Sequence, residues 1–68
     1  MQGRYRVLLV TDTRFWYESQ GSQRRIAALC RALRDNGFCL EIFFNGRLRP
    51  EGQALLNTHW KGLKVHTL

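Results

Sequence analysis

Runs of largely apolar residues alternate along the chain with segments whose apolar residues have helical spacing. The apolar runs occupy residues 5–11, 38–45 and 63–68, and such runs are typical of strands buried in a parallel sheet. Between them, residues 22–35 and 50–61 carry apolar side chains at helical spacing. The order predicts β-α-β-α-β, an α/β unit of Rossmann-like type whose parallel strands are joined by right-handed helical crossovers.

Residues with known capping preferences mark the ends of both predicted helices. Ser22 is a good N-cap for the first helix, and Asn36-Gly37 is a stop signal after it. Pro50 suits the first position of the second helix, which ends before Gly62. The spacing predicts a buried face for the first helix made of Ile26, Leu29, Cys30 and Leu33. The predicted inner residues of the second helix are Leu55, Leu56 and Trp60.

The size of the chain sets a limit on how complete this fold is. The 68 residues are 44% hydrophobic, which is typical of a globular protein, but a chain this short buries only about 60% of its unfolded surface. Strands this apolar need cover on both sides of the sheet. We therefore expect residues 1–68 to be a single unit, the truncated N-terminal portion of a doubly wound domain. The alternatives are a self-contained miniature and one completed by self-association through an open sheet edge.

Several classes of protein are excluded by simple counts. No apolar run approaches the ~18 residues of a membrane span, and the basic N-terminus lacks a signal-peptide core. Cys30 and Cys39 fit no zinc spacing and are expected to be reduced, buried thiols in a cytoplasmic protein. Neither His59 nor His66 has a partner that suggests catalysis. We expect no integral membrane segment and no metal site.

The charge is basic, with eleven Lys+Arg against five Asp+Glu, a formal charge of +6. Ligands of open α/β sheets bind beyond the carboxyl ends of the strands. Residues 12–23 and 45–50 follow the first two strands at this edge. Five arginines lie on these segments or at the adjoining start of the first helix: Arg14, Arg24, Arg25, Arg47 and Arg49.

The start of the first helix combines features of an anion site. Gly21 and Ser22 leave helix N–H groups accessible, and Arg24 and Arg25 follow where the helix dipole disfavours positive charge. We expect the anion to be a phosphate. The alternative is that both arginines lie flat on the surface and pair with acids of the preceding loop, Asp12 or Glu18.

An aromatic triplet, Phe15-Trp16-Tyr17, occupies the loop after the first strand. Its rings could stack on a sugar or close over an acceptor, or they could cover the bare end of the sheet, and the sequence leaves both interpretations open. Asp12, at the tip of the strand, could cap the loop backbone or touch a ligand.

A dinucleotide site is not supported. There is no G-x-G-x-x-G motif or P-loop, and the second strand ends without the acid that would hold a ribose. No cofactor is therefore expected.

Three segments together resemble the opening of GT-B glycosyltransferases. The resemblance is to the large retaining group related to sucrose synthases, sucrose-phosphate synthases and bacterial mannosyltransferases (family 4), and it extends more weakly to the third strand. The matching segments are Val7-Leu8-Leu9-Val10-Thr11-Asp12, Gln20-Gly21-Ser22-Gln23-Arg24-Arg25-Ile26 and Asp35-Asn36-Gly37-Phe38. The chain departs from the family pattern in two places. Gln20 replaces the first of two glycines, and the loop has aromatic residues where the family commonly has prolines.

The resemblance implies transfer of a sugar from a nucleotide-sugar donor to a sugar or lipid-linked acceptor. In such an enzyme this unit contributes the glycine loop, near donor phosphate or acceptor, and the acceptor-side wall of the cleft. The donor is gripped mainly by a C-terminal domain that lies outside these residues, so the 68-residue chain is expected to be inactive alone. Two other hypotheses remain: a small basic module that binds nucleic acid or another polyanion, and a non-enzymatic dimerising module.

Overall fold

The computed structural model describes residues 5–68 and has the predicted α/β architecture. Three parallel strands lie in the order β1-β2-β3, and two helices connect them, so the parallel α/β prediction is confirmed. The elements are β1 (Arg6–Thr11), α1 (Gly21–Asp35), β2 (Cys39–Phe44), α2 (Pro50–His59) and β3 (Lys64–Thr67), with a short 3-10 turn at Phe15–Tyr17. The strands are one to two residues shorter than the apolar runs.

Both helices pack on the same face of the sheet. Strand residues Leu40, Ile42 and Phe44 point to this face and are buried, and Val7 and Leu9 of the neighbouring strand pack beside them. The strand order β1-β2-β3 runs in one direction across the sheet, so two right-handed crossovers place both helices on the same side. A single core results, and its buried members are Phe15, Trp16, Ala27, Cys30, Leu40, Ile42, Phe44, Leu56 and Trp60.

The opposite face of the sheet has no cover within residues 5–68. Leu8 and Val10 of β1 are 56% and 66% exposed there. Their neighbours in register are Glu41 and Phe43 of β2, and the Phe43 ring stacks on His66 of β3 with centroids 4.9 Å apart. We call the surface formed by these five residues the open face. The expectation of two covered faces is not met by these residues alone.

Helix α1 begins two residues earlier than its sequence indicates. Gln20, not Ser22, is the N-cap, so Ser22 lies inside the first turn. Gln23 contributes to the N-terminal cap. Its Oε1 accepts hydrogen bonds from the Gln20 N–H (3.3 Å), the Ser19 N–H (2.9 Å) and the Ser19 hydroxyl (2.8 Å). The side chain that reaches back over the helix start is therefore Gln23, three residues after the true cap.

The inner face of α1 is rotated relative to the predicted one. Ala27 is fully buried, whereas Leu29, predicted to face the core, is 45% exposed. Cys30 is buried as predicted, with Ile26 and Leu33 partly buried beside it. Alanine contributes little to a hydrophobic pattern, so the spacing does not predict the burial of Ala27.

The stop signal after α1 is confirmed. Asn36 is the C-cap, and Gly37 adopts φ +85°, a left-handed conformation that glycine adopts without steric cost. The Gly37 N–H donates to the Arg34 carbonyl, and the Phe38 N–H donates to the Leu33 carbonyl, which satisfies the last turn and directs the chain into β2.

Helix α2 starts at Pro50, as predicted, and packs closely on the 3-10 turn. Leu56 and Trp60 are buried and Leu55 is partly buried, in agreement with the predicted inner face. Gly52 is also buried, because it lies directly against the Trp16 indole.

The two cysteines differ in exposure. Cys30 is buried in the core, but Cys39 is exposed at the start of β2, so the prediction that both are buried is wrong for Cys39. Cys39 alternates with the core residues of β2 and points to the uncovered side of the sheet. Within residues 5–68, no helix has both the length and the apolar character that crossing a bilayer requires.

Candidate functional site

The exposed first turn of α1 follows the loop after β1. Gly21, Ser22, Arg24 and Arg25 are all exposed there, and the turn contains no acidic residue. The first backbone hydrogen bond of the helix runs from the Arg24 N–H to the Gln20 carbonyl at 2.9 Å. The N–H groups of Gly21 and Ser22 come before it and have no partner within the helix. The four residues predicted as an anion site therefore share one exposed turn.

The nearest acid of the preceding loop is already engaged elsewhere. The Glu18 carboxylate accepts two hydrogen bonds from Arg31, at 2.8 and 2.7 Å, in a forked pair. This hydrogen bonding lowers the pKa of Glu18 below its ordinary value. Arg24 instead donates from Nε to the Glu18 main-chain carbonyl at 3.2 Å. The Glu18 carboxylate thus neutralises Arg31 and not the cations at the start of α1.

Asp12 is exposed at the end of β1, and a neighbouring residue caps the loop instead. The Thr13 N–H donates to the Thr11 hydroxyl at 3.0 Å, so Thr11 performs the capping role that the sequence offered to Asp12. Among the ion pairs of residues 5–68, none includes Asp12. Its carboxylate is available at the carboxyl edge of the sheet.

The aromatic triplet is mainly a part of the core. Phe15 and Trp16 are 0% and 2% exposed. Phe15 packs edge-on against Trp60 at 5.3 Å between centroids, and Trp16 packs edge-on against Phe44 at 5.0 Å. Of the two interpretations, covering the end of the sheet holds for Phe15 and Trp16, which are not available to stack on a ligand. Tyr17 alone is half-buried and remains accessible.

A second group of edge arginines lies beside the start of α2. The Arg14 guanidinium carbon is 5.3 Å from the Phe44 ring centroid, and Arg14 Nη2 donates to the Arg47 carbonyl at 3.4 Å. Arg14 also lines an open cavity of about 290 Å³ together with Tyr17, Arg49 and Glu51. The sequence placed these arginines at the correct edge, but nothing in it indicated that two of them share a cavity.

The histidines lie away from the start of α1. His59 is exposed near the end of α2. His66 has a partner that the sequence did not reveal, because its Nε2 lies 2.5 Å from Glu41 Oε2 on the open face. These two residues are 25 positions apart in the chain and are brought together only by the pairing of β2 with β3.

These features define a small parallel α/β unit with a basic carboxyl edge and one uncovered sheet face. No protein-family model matches the chain, and neither a curated protein nor a solved structure matches it.

Proposed function

We propose that this chain is the opening βαβαβ unit of the N-terminal domain of a GT-B glycosyltransferase. In that role it supplies the glycine loop and the acceptor-side wall for transfer of a sugar from a nucleotide-sugar donor to a sugar or lipid-linked acceptor. The observation that carries the proposal is the exposed, cationic first turn of α1, with Gly21, Ser22, Arg24 and Arg25 side by side. The motif on which the resemblance rests falls on β1 and on this turn.

The chemistry of the turn suits a phosphate of the donor. Free N–H groups at a helix start and the positive end of the helix dipole both favour an anion. The hydrogen bond from Arg24 Nε to the Glu18 carbonyl orients that guanidinium, and its terminal nitrogens make no hydrogen bond within residues 5–68. Arg25 is exposed beside it. Two guanidinium groups can together offer forked hydrogen bonds to phosphate oxygens.

The open face supports the idea of a larger domain. Parallel sheets occur almost only with both faces covered, and Leu8 and Val10 are too exposed for a finished parallel sheet. Further helices of a doubly wound domain would cover them. The acceptor-side role now falls to Asp12 and Tyr17, while Phe15 and Trp16 hold the loop in place from the core.

The test is a titration of the chain with nucleoside diphosphates, followed by amide chemical shifts. We expect the amides of Gly21 and Ser22 to move most. Arg24→Ala and Arg25→Ala should each weaken the binding, whereas Arg6→Ala, which removes the same charge at the far end of β1, should not. Shifts that are insensitive to Arg24→Ala and Arg25→Ala would rule out this site.

The glycosyltransferase role itself has a separate test. It requires that the coding frame continue past Leu68 into a second α/β domain that holds the donor. A stop codon immediately after Leu68 would contradict it, even if phosphate binding were found.

The open face also favours a second candidate, a non-enzymatic module that dimerises. Sedimentation velocity over a range of concentrations distinguishes it from a monomer. If Val10 mediates association, Val10→Lys should abolish it and Leu29→Lys, at an exposed leucine of α1, should leave it intact. The nucleic-acid hypothesis loses one of its supports, because two of its three loop aromatics are buried.

A further inference from the structure

We propose that the cavity between the loop after β1 and the start of α2 is a phosphate-binding pocket in which Arg14 and Arg49 hold the anion. This pocket is separate from the first turn of α1 and does not depend on the proposed function. Its walls are Arg14, Tyr17, Arg49 and Glu51. Its volume of about 290 Å³ is just below the range of ~300–1,000 Å³ that is usual for ligand pockets, and a phosphate is smaller than most such ligands.

Arg14 is held in place before any ligand arrives. Its guanidinium lies over the Phe44 ring, 5.3 Å from the centroid, and its Nη2 donates to the Arg47 carbonyl. Phe44 is fully buried, so this contact fixes Arg14 at the boundary between the core and the cavity. Among the described residues, this one long hydrogen bond uses one of the five N–H donors of the guanidinium, and the other four remain for an anion.

Arg49 approaches the cavity from the other side. It is the N-cap of α2, with extended backbone dihedrals (φ −85°, ψ 158°), and its side chain makes no capping hydrogen bond. The first backbone bond of α2 is donated by Gln53 to the Arg49 carbonyl. The preceding N–H groups, those of Glu51 and Gly52, have no partner within the helix. The exposed arginine therefore stands beside the positive end of a ten-residue helix.

The charge balance of the cavity favours an anion. Within residues 5–68 the carboxylates of the ion pairs are Glu18 and Glu41, and neither pairs with Arg14 or Arg49. Glu51 is the one acid on the cavity wall, and it forms no ion pair in the described part of the chain. Two guanidinium groups against one carboxylate leave a net positive cavity. Half-burying the Arg14 cation without a counterion is unfavourable, and a bound phosphate would offset that cost.

The pocket is tested by titrating the chain with inorganic phosphate at constant ionic strength, maintained with sodium chloride. We expect saturable shifts of the Tyr17, Glu51 and Gly52 amides. Arg49→Ala should raise the apparent dissociation constant about tenfold, because a charge-assisted hydrogen bond is lost. Arg14→Gln should act in the same direction. Arg6→Ala removes an equal charge at the amino end of β1 and should leave the dissociation constant unchanged.

Arg49 is the decisive position, because its side chain is exposed and makes no capping hydrogen bond, so we expect Arg49→Ala to fold normally. The two anion sites are separable in the same titration. Arg49→Ala should leave phosphate shifts at Gly21 and Ser22 intact, and Arg25→Ala should leave those at Glu51 and Gly52 intact. The proposal is overturned if phosphate moves only the start of α1. It is equally overturned if Arg49→Ala has no effect on the Glu51 and Gly52 shifts, or if chloride alone reproduces them.

Discussion

A Cβ atom added to Gly52 would lie 2.6 Å from Nε1 of Trp16, a distance that real Cβ contacts do not reach. Helix α2 therefore packs on the Trp16 indole at Gly52, where any side chain would clash with the ring. The contact joins the second crossover helix to the loop after β1, and thereby fixes the carboxyl edge on which both proposed anion sites lie.

The first prediction concerns this contact. Gly52→Ala should reduce the free energy of unfolding by about 1–3 kcal/mol, since the clash with a buried indole outweighs the better helix propensity of alanine. Gly21→Ala is the matched control, because an added Cβ there meets nothing within 4 Å and this variant should be no less stable than the parent. Urea denaturation measures both. If Gly52→Ala proved as stable as Gly21→Ala, the helix would not rest on Trp16 as described.

The second prediction concerns the forked pair of Arg31 and Glu18. Hydrogen bonding from Arg31 lowers the pKa of Glu18 in the folded protein. The pair therefore stabilises the folded state fully when the pH is above 4.5, the ordinary pKa of this carboxyl group. The stabilisation is lost as the pH falls through the lower pKa of the folded state. At pH 7, Glu18→Gln should cost roughly 0.2–1 kcal/mol, because the pair is well exposed. The cost should shrink at acid pH. An equal cost at pH 7 and pH 3 would show that the carboxylate charge is not involved.

Arg31 should matter more than its partner. Its guanidinium carbon also lies 4.5 Å from the Trp60 ring centroid, an interaction that Glu18→Gln leaves in place. Arg31→Ala should therefore destabilise the protein more than Glu18→Gln, and the excess should persist at low pH. Parallel urea unfolding curves of the two variants test this, and equal effects would exclude a contribution from the Trp60 contact.

The third prediction separates the two thiols. Burial raises the pKa of Cys30 to about 11, and the residue is enclosed by the core, whereas Cys39 is exposed on the uncovered side of the sheet. The thiolate is the reactive form, so iodoacetamide at pH 8 should label Cys39 in the native protein and Cys30 only after unfolding. Mass spectrometry of the Cys39→Ser variant is the control, and rapid native labelling of that variant would contradict the burial of Cys30.

The fourth prediction is that the purified 68-residue chain transfers no sugar. The proposed role supplies one wall of a cleft, whereas charge stabilisation and alignment of donor and acceptor require both domains of such an enzyme. Release of nucleoside diphosphate from a panel of nucleotide-sugars with mixed acceptors should stay at the level of a no-protein control. Multiple turnovers would show that catalytic groups lie within these residues, and would refute the proposal that this unit supplies only one wall of the cleft.

Much of the candidate site could be assigned before the structure. Gly21, Ser22, Arg24 and Arg25 are neighbours in sequence, so a single helical turn was bound to bring them together. The carboxyl-edge position of Arg14 and Arg49 also followed from strand order. Their shared cavity did not, because it depends on Arg14 lying over Phe44 and on α2 starting beside that contact.

The element order, the parallel sheet, the end of α1 and the start of α2 could all be inferred from the sequence. These depend on short-range preferences, such as the left-handed backbone at Gly37 and the fixed φ of Pro50, and on hydrophobic spacing within one element. The burial of individual apolar residues, in contrast, could not be inferred from the sequence. Ala27 is buried and Leu29 is exposed, and the Phe15 and Trp16 rings lie in the core, because burial depends on what a distant element places opposite each side chain.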